Sequence, residues 1–130
     1  MPALMNRFYH SIWVLSVISL IGCSPRISET GRFPSPSGEI DAITAIRETG
    51  ATVATPTEVY LLPRGNSVSG EPILRADKVE GLVITWKGDT QIIIHAKTAR
   101  VFLAQTKAVV VLNSHEQVVS VDLDILQNLD

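Results

Sequence analysis

The chain has 130 residues but a single cysteine, which excludes an internal disulfide and any zinc cage built on cysteines. Charge is sparse, 18% of residues, and nearly balanced at −2. No basic cluster is present, so a nucleic-acid partner held through phosphate contacts is not expected. With hydrophobic residues at 45%, the composition is that of neither a disordered polyampholyte nor a low-complexity chain. Long apolar runs are also missing. The longest begins at Ser11 and ends at Ile21, eleven residues against the roughly twenty needed to cross a hydrocarbon core.

What that run does match is the hydrophobic stretch of a secretory signal, preceded by a weakly positive segment holding Arg7 and His10. Met5 offers an alternative start, without consequence downstream. The run ends in Leu20-Ile21-Gly22-Cys23. This tetrapeptide resembles the lipobox of bacterial lipoproteins, with an aliphatic residue three places before the cysteine and a small residue just before it. The resemblance implies that residues 1–22 are cleaved as a signal peptide. It also implies that the Cys23 thiol carries diacylglycerol and that the new amino terminus is acylated. Two or three acyl chains hold a protein stably to a bilayer, where one holds it only marginally. Ser24 follows, and in Gram-negative lipoproteins Asp at that place favours the inner membrane. Ser therefore implies the outer membrane, with the domain facing the periplasm. In this reading Cys23 is an attachment point and not a nucleophile.

Residues 24–36 hold three prolines and show no periodicity, which is linker composition. As a flexible coil this stretch would reach about 20 Å. Residues 23–36 are thus expected to be lipidated cysteine and tether, and residues 37–130 the folded domain.

From Ser37 onward eight Lys/Arg stand against twelve Asp/Glu, a net −4 without a stripe of one sign. Strand signals dominate. Glu58-Val59-Tyr60-Leu61-Leu62 is closed by a Pro63-Arg64-Gly65-Asn66 turn. Residues 82–87 and 90–95 flank Gly88-Asp89, a type II′ hairpin signal that would set Trp86 opposite Gln91 and Ile84 opposite Ile93. Residues 100–104, 108–112 and 118–125 follow at regular spacing. In the last, Val119, Val121, Leu123 and Ile125 alternate with Ser120, Asp122 and Asp124. Residues 39–49 fit a helix face or a bulged strand by periodicity. A capping box from Ser37 fails, because Ile40 stands where Glu or Gln is required.

A second resemblance bears on that stretch. Ser35-Pro36-Ser37-Gly38-Glu39, Gly50-Ala51-Thr52, Val59-Tyr60 with Pro63 and Gly65, Trp86 with Asp89, and Ala99-Arg100-Val101-Phe102 occur in this order. The set resembles an uncharacterised family of small bacterial exported proteins carrying SPDGK, GATT, VYxxPxG, WxDD and ARIF. The opening is also similar to one repeat of the SPDGK-type β-propeller, whose turn leads directly into a strand, which implies a strand over 39–46. A full propeller does not fit in about ninety residues. The expected fold is all-β, a small antiparallel meander of six to eight strands, either blade-like or sandwich/barrel-like.

Chemistry has few places to sit. His95 reads as a strand-end residue opposite Leu82. His115, in the Asn113-Ser114-His115-Glu116 turn, offers a Ser/His/acid set, but sequence neighbours rarely form a triad and no strained elbow accompanies them. Gly65 to Gly70 has the wrong spacing for a nucleophile elbow and reads as a flexible loop. Asp122 and Asp124 at i, i+2 read as a solvated face, Asp77, Glu80 and Asp89 as turn carboxylates, and Trp86 as a packing aromatic. No catalytic residue, metal ligand or cofactor site is expected. The function expected is binding or structural association in the cell envelope, with an envelope protein as partner. Inhibition of a lytic enzyme through an exposed loop at 63–70 or 113–117 is the alternative, and a small hydrolase the more distant one.

Overall fold

The computed structural model describes residues 26–48, 50 and 55–129. Residues 1–22 and Cys23, which carry the signal and anchor readings, lie outside the described residues. The described chain forms β1 (Arg26–Pro34), β2 (Ile40–Glu48), β3 (Thr57–Pro63), β4 (Leu74–Glu80), β5 (Val83–Trp86), β6 (Gln91–Ala104), β7 (Lys107–Val111) and β8 (Glu116–Asn128). It is all-β, and the stretch with ambiguous periodicity is strand β2. Pairing is mainly antiparallel in one open sheet of order β1-β2-β3-β4-β6-β8-β7, with β5 also on β6.

The domain starts earlier than the composition suggests. Residues 26–34, read as tether, are strand β1, paired with β2 from Arg26 opposite Glu48 to Pro34 opposite Asp41. Its prolines mislead because Pro34 ends the strand and a bulge between Glu29 and Gly31 interrupts the alternation. An edge strand tolerates both. Arg32 fixes it further, bonding Glu29, Asp41 and the Asn66 carbonyl.

The meander also breaks. β8 inserts between β6 and β7, running parallel to β6 with Gln91 opposite Ser120 and antiparallel to β7 with Lys107 opposite Ser120. Gln91 and Lys107 therefore lie two strands apart, about 10 Å. Extended, the fourteen residues of β6 would carry its ends about 43 Å apart. Thus β6 must bend sharply.

The bend is built into sequence details that periodicity does not show. Beside β6, β4 loses register between Asp77 and Glu80, Lys78 adopts φ 51° and Gly81 φ 65°. A Cβ on Gly81 would stand 3.3 Å from the Lys97 Cβ. Ala76, Ala96 and Ala99 are buried together there, with Val79 and Ile125 against them. Small side chains let the two halves of the sheet come together at the corner.

Folded over at this corner, the sheet encloses its main core between two layers. Ile40, Ala42, Val59, Leu61 and Leu74 of β2–β4 meet Ile84, Ile92, Ile94, Val110, Val119 and Val121 of β5–β8. The β5–β6 hairpin differs by one residue from expectation: Trp86 pairs with Ile92, Ile84 with Ile94 and Val83 with His95. Lys87 N–H bonds the Gln91 carbonyl at 2.8 Å, so the loop has three residues and not two. In a run apolar on both faces, hydrophobic patterning specifies register weakly. Contacts of the tip decide it, since Asp89 bonds the Ser37 N–H and the Thr90 carbonyl accepts from Ser120.

Candidate functional site

At one end of the folded sheet four connections gather. The β1–β2 turn is closed by Gly38 N–H to the Ser35 carbonyl at 2.8 Å, with Gly38 in the left-handed region at φ 76°. It meets the β5–β6 tip through the 2.8 Å bond from Ser37 N–H to Asp89 Oδ1. Gln117, at the start of β8, donates from Nε2 to the Asp89 carbonyl at 2.6 Å. Arg64, leaving β3, donates its backbone N–H to the Glu39 carbonyl at 2.9 Å. Trp86 caps the group from below, half-buried against the core, with its indole N–H on the Phe33 carbonyl at 2.9 Å. These cross-loop bonds make a rim, and loops fixed on a rigid scaffold are where binding surfaces concentrate.

A cleft of about 270 Å³ opens in the rim. Glu39, Pro63 and Arg64 line one side, and Leu112 to His115 of the β7–β8 turn the other. Proline and leucine supply apolar surface, while Glu39, Arg64, Asn113, Ser114 and His115 supply hydrogen-bonding groups of both signs. Ser114 Oγ and His115 Nδ1 are 2.9 Å apart. A serine nucleophile also needs its histidine oriented by an acid on the other ring nitrogen. Among the described residues His115 makes no ion pair; the histidine that does is His95. Among the described residues no acid orients His115, and the Ser114–His115 pair is an exposed contact within the β7–β8 turn.

The loop at 65–70 is not the flexible segment its composition suggests. Gly65 N–H donates to Asp41 Oδ2 at 3.1 Å, the Asn66 carbonyl accepts from Arg32 at 2.9 Å, and Val68 packs over Ile43 and Tyr60. Of the two loops singled out from the sequence, Pro63 and Arg64 of 63–70 and Asn113 to His115 of 113–117 line the cleft, while Val68 packs against the outer face of β2 and β3.

The remaining candidates lie elsewhere. His95 sits within β6 and not at a strand end, its Nδ1 2.9 Å from Asp124 Oδ2 on β8. Gln91 Nε2 donates to Asp122 Oδ2 at 2.6 Å one step along. Asp122 and Asp124 are exposed, each engaged by a β6 partner. Among the described residues no cluster of three or more His, Cys, Asp or Glu could hold a metal ion.

The strongest electrostatic coupling is on the outer face of β2–β4, where the sequence suggested a turn carboxylate at Asp77 and no ion-pair cluster. Glu58 is fully buried; Arg47 and Arg75 bond it from either side, and the Tyr60 hydroxyl donates to Oε2 at 3.0 Å. Burial alone would raise its pKa, but the bonds from Arg47, Tyr60 and Arg75 outweigh this and hold the carboxyl below its usual range. Asp41 behaves alike, with Arg32 and the Gly65 N–H overcoming burial. Asp77, read as a turn carboxylate, is a buried residue of β4; the hydrogen bond from Arg100 lowers its pKa. Arg100 also lies over the Phe102 ring at 5.1 Å. The signal available in sequence was alternation: Glu58, Tyr60 and Leu62 share one strand face, so a carboxylate between apolar neighbours required a cation from an adjoining strand.

Compared with protein-family models, curated proteins and solved structures, the chain matches none of them.

Proposed function

We propose that this protein is a lipid-anchored lipoprotein of the bacterial cell envelope whose β domain binds a protein partner through the rim and catalyses no reaction. Lipid on Cys23 is the anchor, and Ser24 favours the outer membrane with the domain in the periplasm. The observation that carries the binding reading is the convergence of four cross-bonded connections around an open cleft. Edge strand β7 supports it: Val109 and Val111, 57% and 65% exposed, project at alternate positions next to the rim and pair with exposed Val118 or adjoin it. Exposed apolar side chains on a terminal strand suit a polypeptide partner.

The test is photo-crosslinking in native membranes from a probe at Asn113. A stoichiometric partner captured there, and lost when Val109 and Val111 are replaced by Asp, is expected. Capture independent of both positions would overturn the rim as the binding surface. Turnover of esters, peptides or glycans by the purified protein, abolished by His115→Ala, would overturn the non-catalytic reading. A second reading, inhibition of a lytic enzyme, is favoured by the bonds that hold each exposed loop in place, Gly65 to Asp41 and Asn66 to Arg32 in one, Gln117 to Asp89 in the other. It is distinguished by loss of a lytic enzyme's activity on mixing.

A further inference from the structure

We infer that β1 is a strut that holds the rim away from the anchoring bilayer, so that the partner approaches from the aqueous side and not within the membrane plane. This rests on the lipid anchor proposed above. Only Ser24 and Pro25 separate Cys23 from Arg26, and three residue steps span at most about 11 Å. The beginning of β1 is thereby held close to the headgroups. β1 then runs eight steps to Pro34, about 26 Å of extended chain, and delivers the β1–β2 turn to the rim.

Three observations make the strut stiff. Its pairing with β2 extends from Arg26 to Pro34 with one bulge. Arg32 ties its middle to Asp41 of β2 and to the Asn66 carbonyl, and the Thr30 hydroxyl donates to Thr44 Oγ1 at 2.9 Å. Its far end is held by the Trp86 indole through the Phe33 carbonyl. A lipid fixed at one end of a stiff lever leaves the bilayer excluded by the bulk of the domain. Any tilt short of lying flat keeps Glu39, Arg64 and the 112–115 turn farther from the headgroups than the Arg26–Glu48 end. A flexible thirteen-residue tether would impose no such order.

The test uses the intact lipidated protein in phosphatidylcholine–phosphatidylglycerol vesicles containing a headgroup nitroxide lipid. Cys23 is consumed by lipid, so an engineered thiol can be labelled alone with bimane. Glu48→Cys reports the anchored end and Glu116→Cys the rim; both positions are exposed. Nitroxide quenching at least threefold stronger at position 48 than at 116 is expected. Equal quenching, or stronger quenching at 116, in protein that floats with the vesicles would overturn the orientation while leaving the anchor standing. Protein that fails to float would remove the anchor, and the orientation with it.

Discussion

The two layers of the sheet treat charge on their outer faces in opposite ways. On β2–β4, Asp41, Glu58 and Asp77 are buried and each is met by arginine. On β6 and β8, Gln91–Asp122 and His95–Asp124 lie in water. The pairs look alike as drawn, but desolvation separates them. A buried carboxylate stripped of its cation is left uncompensated, whereas an exposed one is simply rehydrated. The first layer also has the loop at 64–70 folded over it, with Val68 on Tyr60. The lesson is that ion pairs here matter in proportion to what covers them.

The largest expected effect tests the covered side. Glu58→Ala leaves the buried Tyr60 hydroxyl and the partly solvated Arg47 and Arg75 without their shared acceptor and should destabilise by about 2–3 kcal/mol in urea unfolding. A loss below about 1 kcal/mol would break the contrast between the layers. The same group sets the acid response. Its folded pKa lies below the ordinary value of 4.5, so its stabilising contribution is complete above that pH and disappears as pH falls towards the lowered folded value. Asp41 and Asp77, lowered from 3.8, act in the same direction at somewhat lower pH. Stability should therefore fall on acidification below about pH 4.5, and Glu58→Gln should flatten that decline relative to the parent protein.

Smaller effects sharpen the comparison. Gly81→Ala places a side chain at positive φ and close to Lys97 at the corner joining the layers, with a loss of about 1–2 kcal/mol by thermal or urea unfolding. Tyr60→Phe removes one donor from Glu58 but leaves both arginines, and should lose about 1.5 kcal/mol in the same assay. On the exposed layer, Asp124→Ala should change stability by less than about 0.5 kcal/mol, since Asp124 is 60% exposed and its histidine remains solvated. A larger loss there would mean that the outer face of β8 is structurally committed.

Strands carrying their own apolar pattern could be found without the structure. β3, β5, β7, β8 and both halves of β6 stand out by branched and aromatic residues, and the turn following β3 by its proline and glycine. β1 and β4 do not. Arg26–Pro34 has few apolar residues and a bulge, and Leu74–Glu80 is half charged, with Asp77 requiring Arg100 from β6 before it can be buried. The candidate site divides likewise. Loops 63–70 and 113–117 were visible separately as turn chemistry. That Pro63 and Arg64 face the 112–115 turn depends on the bend at Ala96 and Ala99 and on β8 inserting beside β6.

Residue order alone determined the all-β character, because alternation and β-branching act over a few neighbouring positions and need no distant partner. The tertiary structure decided the one-residue register of the β5–β6 hairpin, the parallel β6–β8 pair, the burial of Glu58 and the assembly of the rim. Each of these turns on which of several locally acceptable pairings brings compensating charge or apolar surface from residues far along the chain, and that choice exists only once the sheet has folded over.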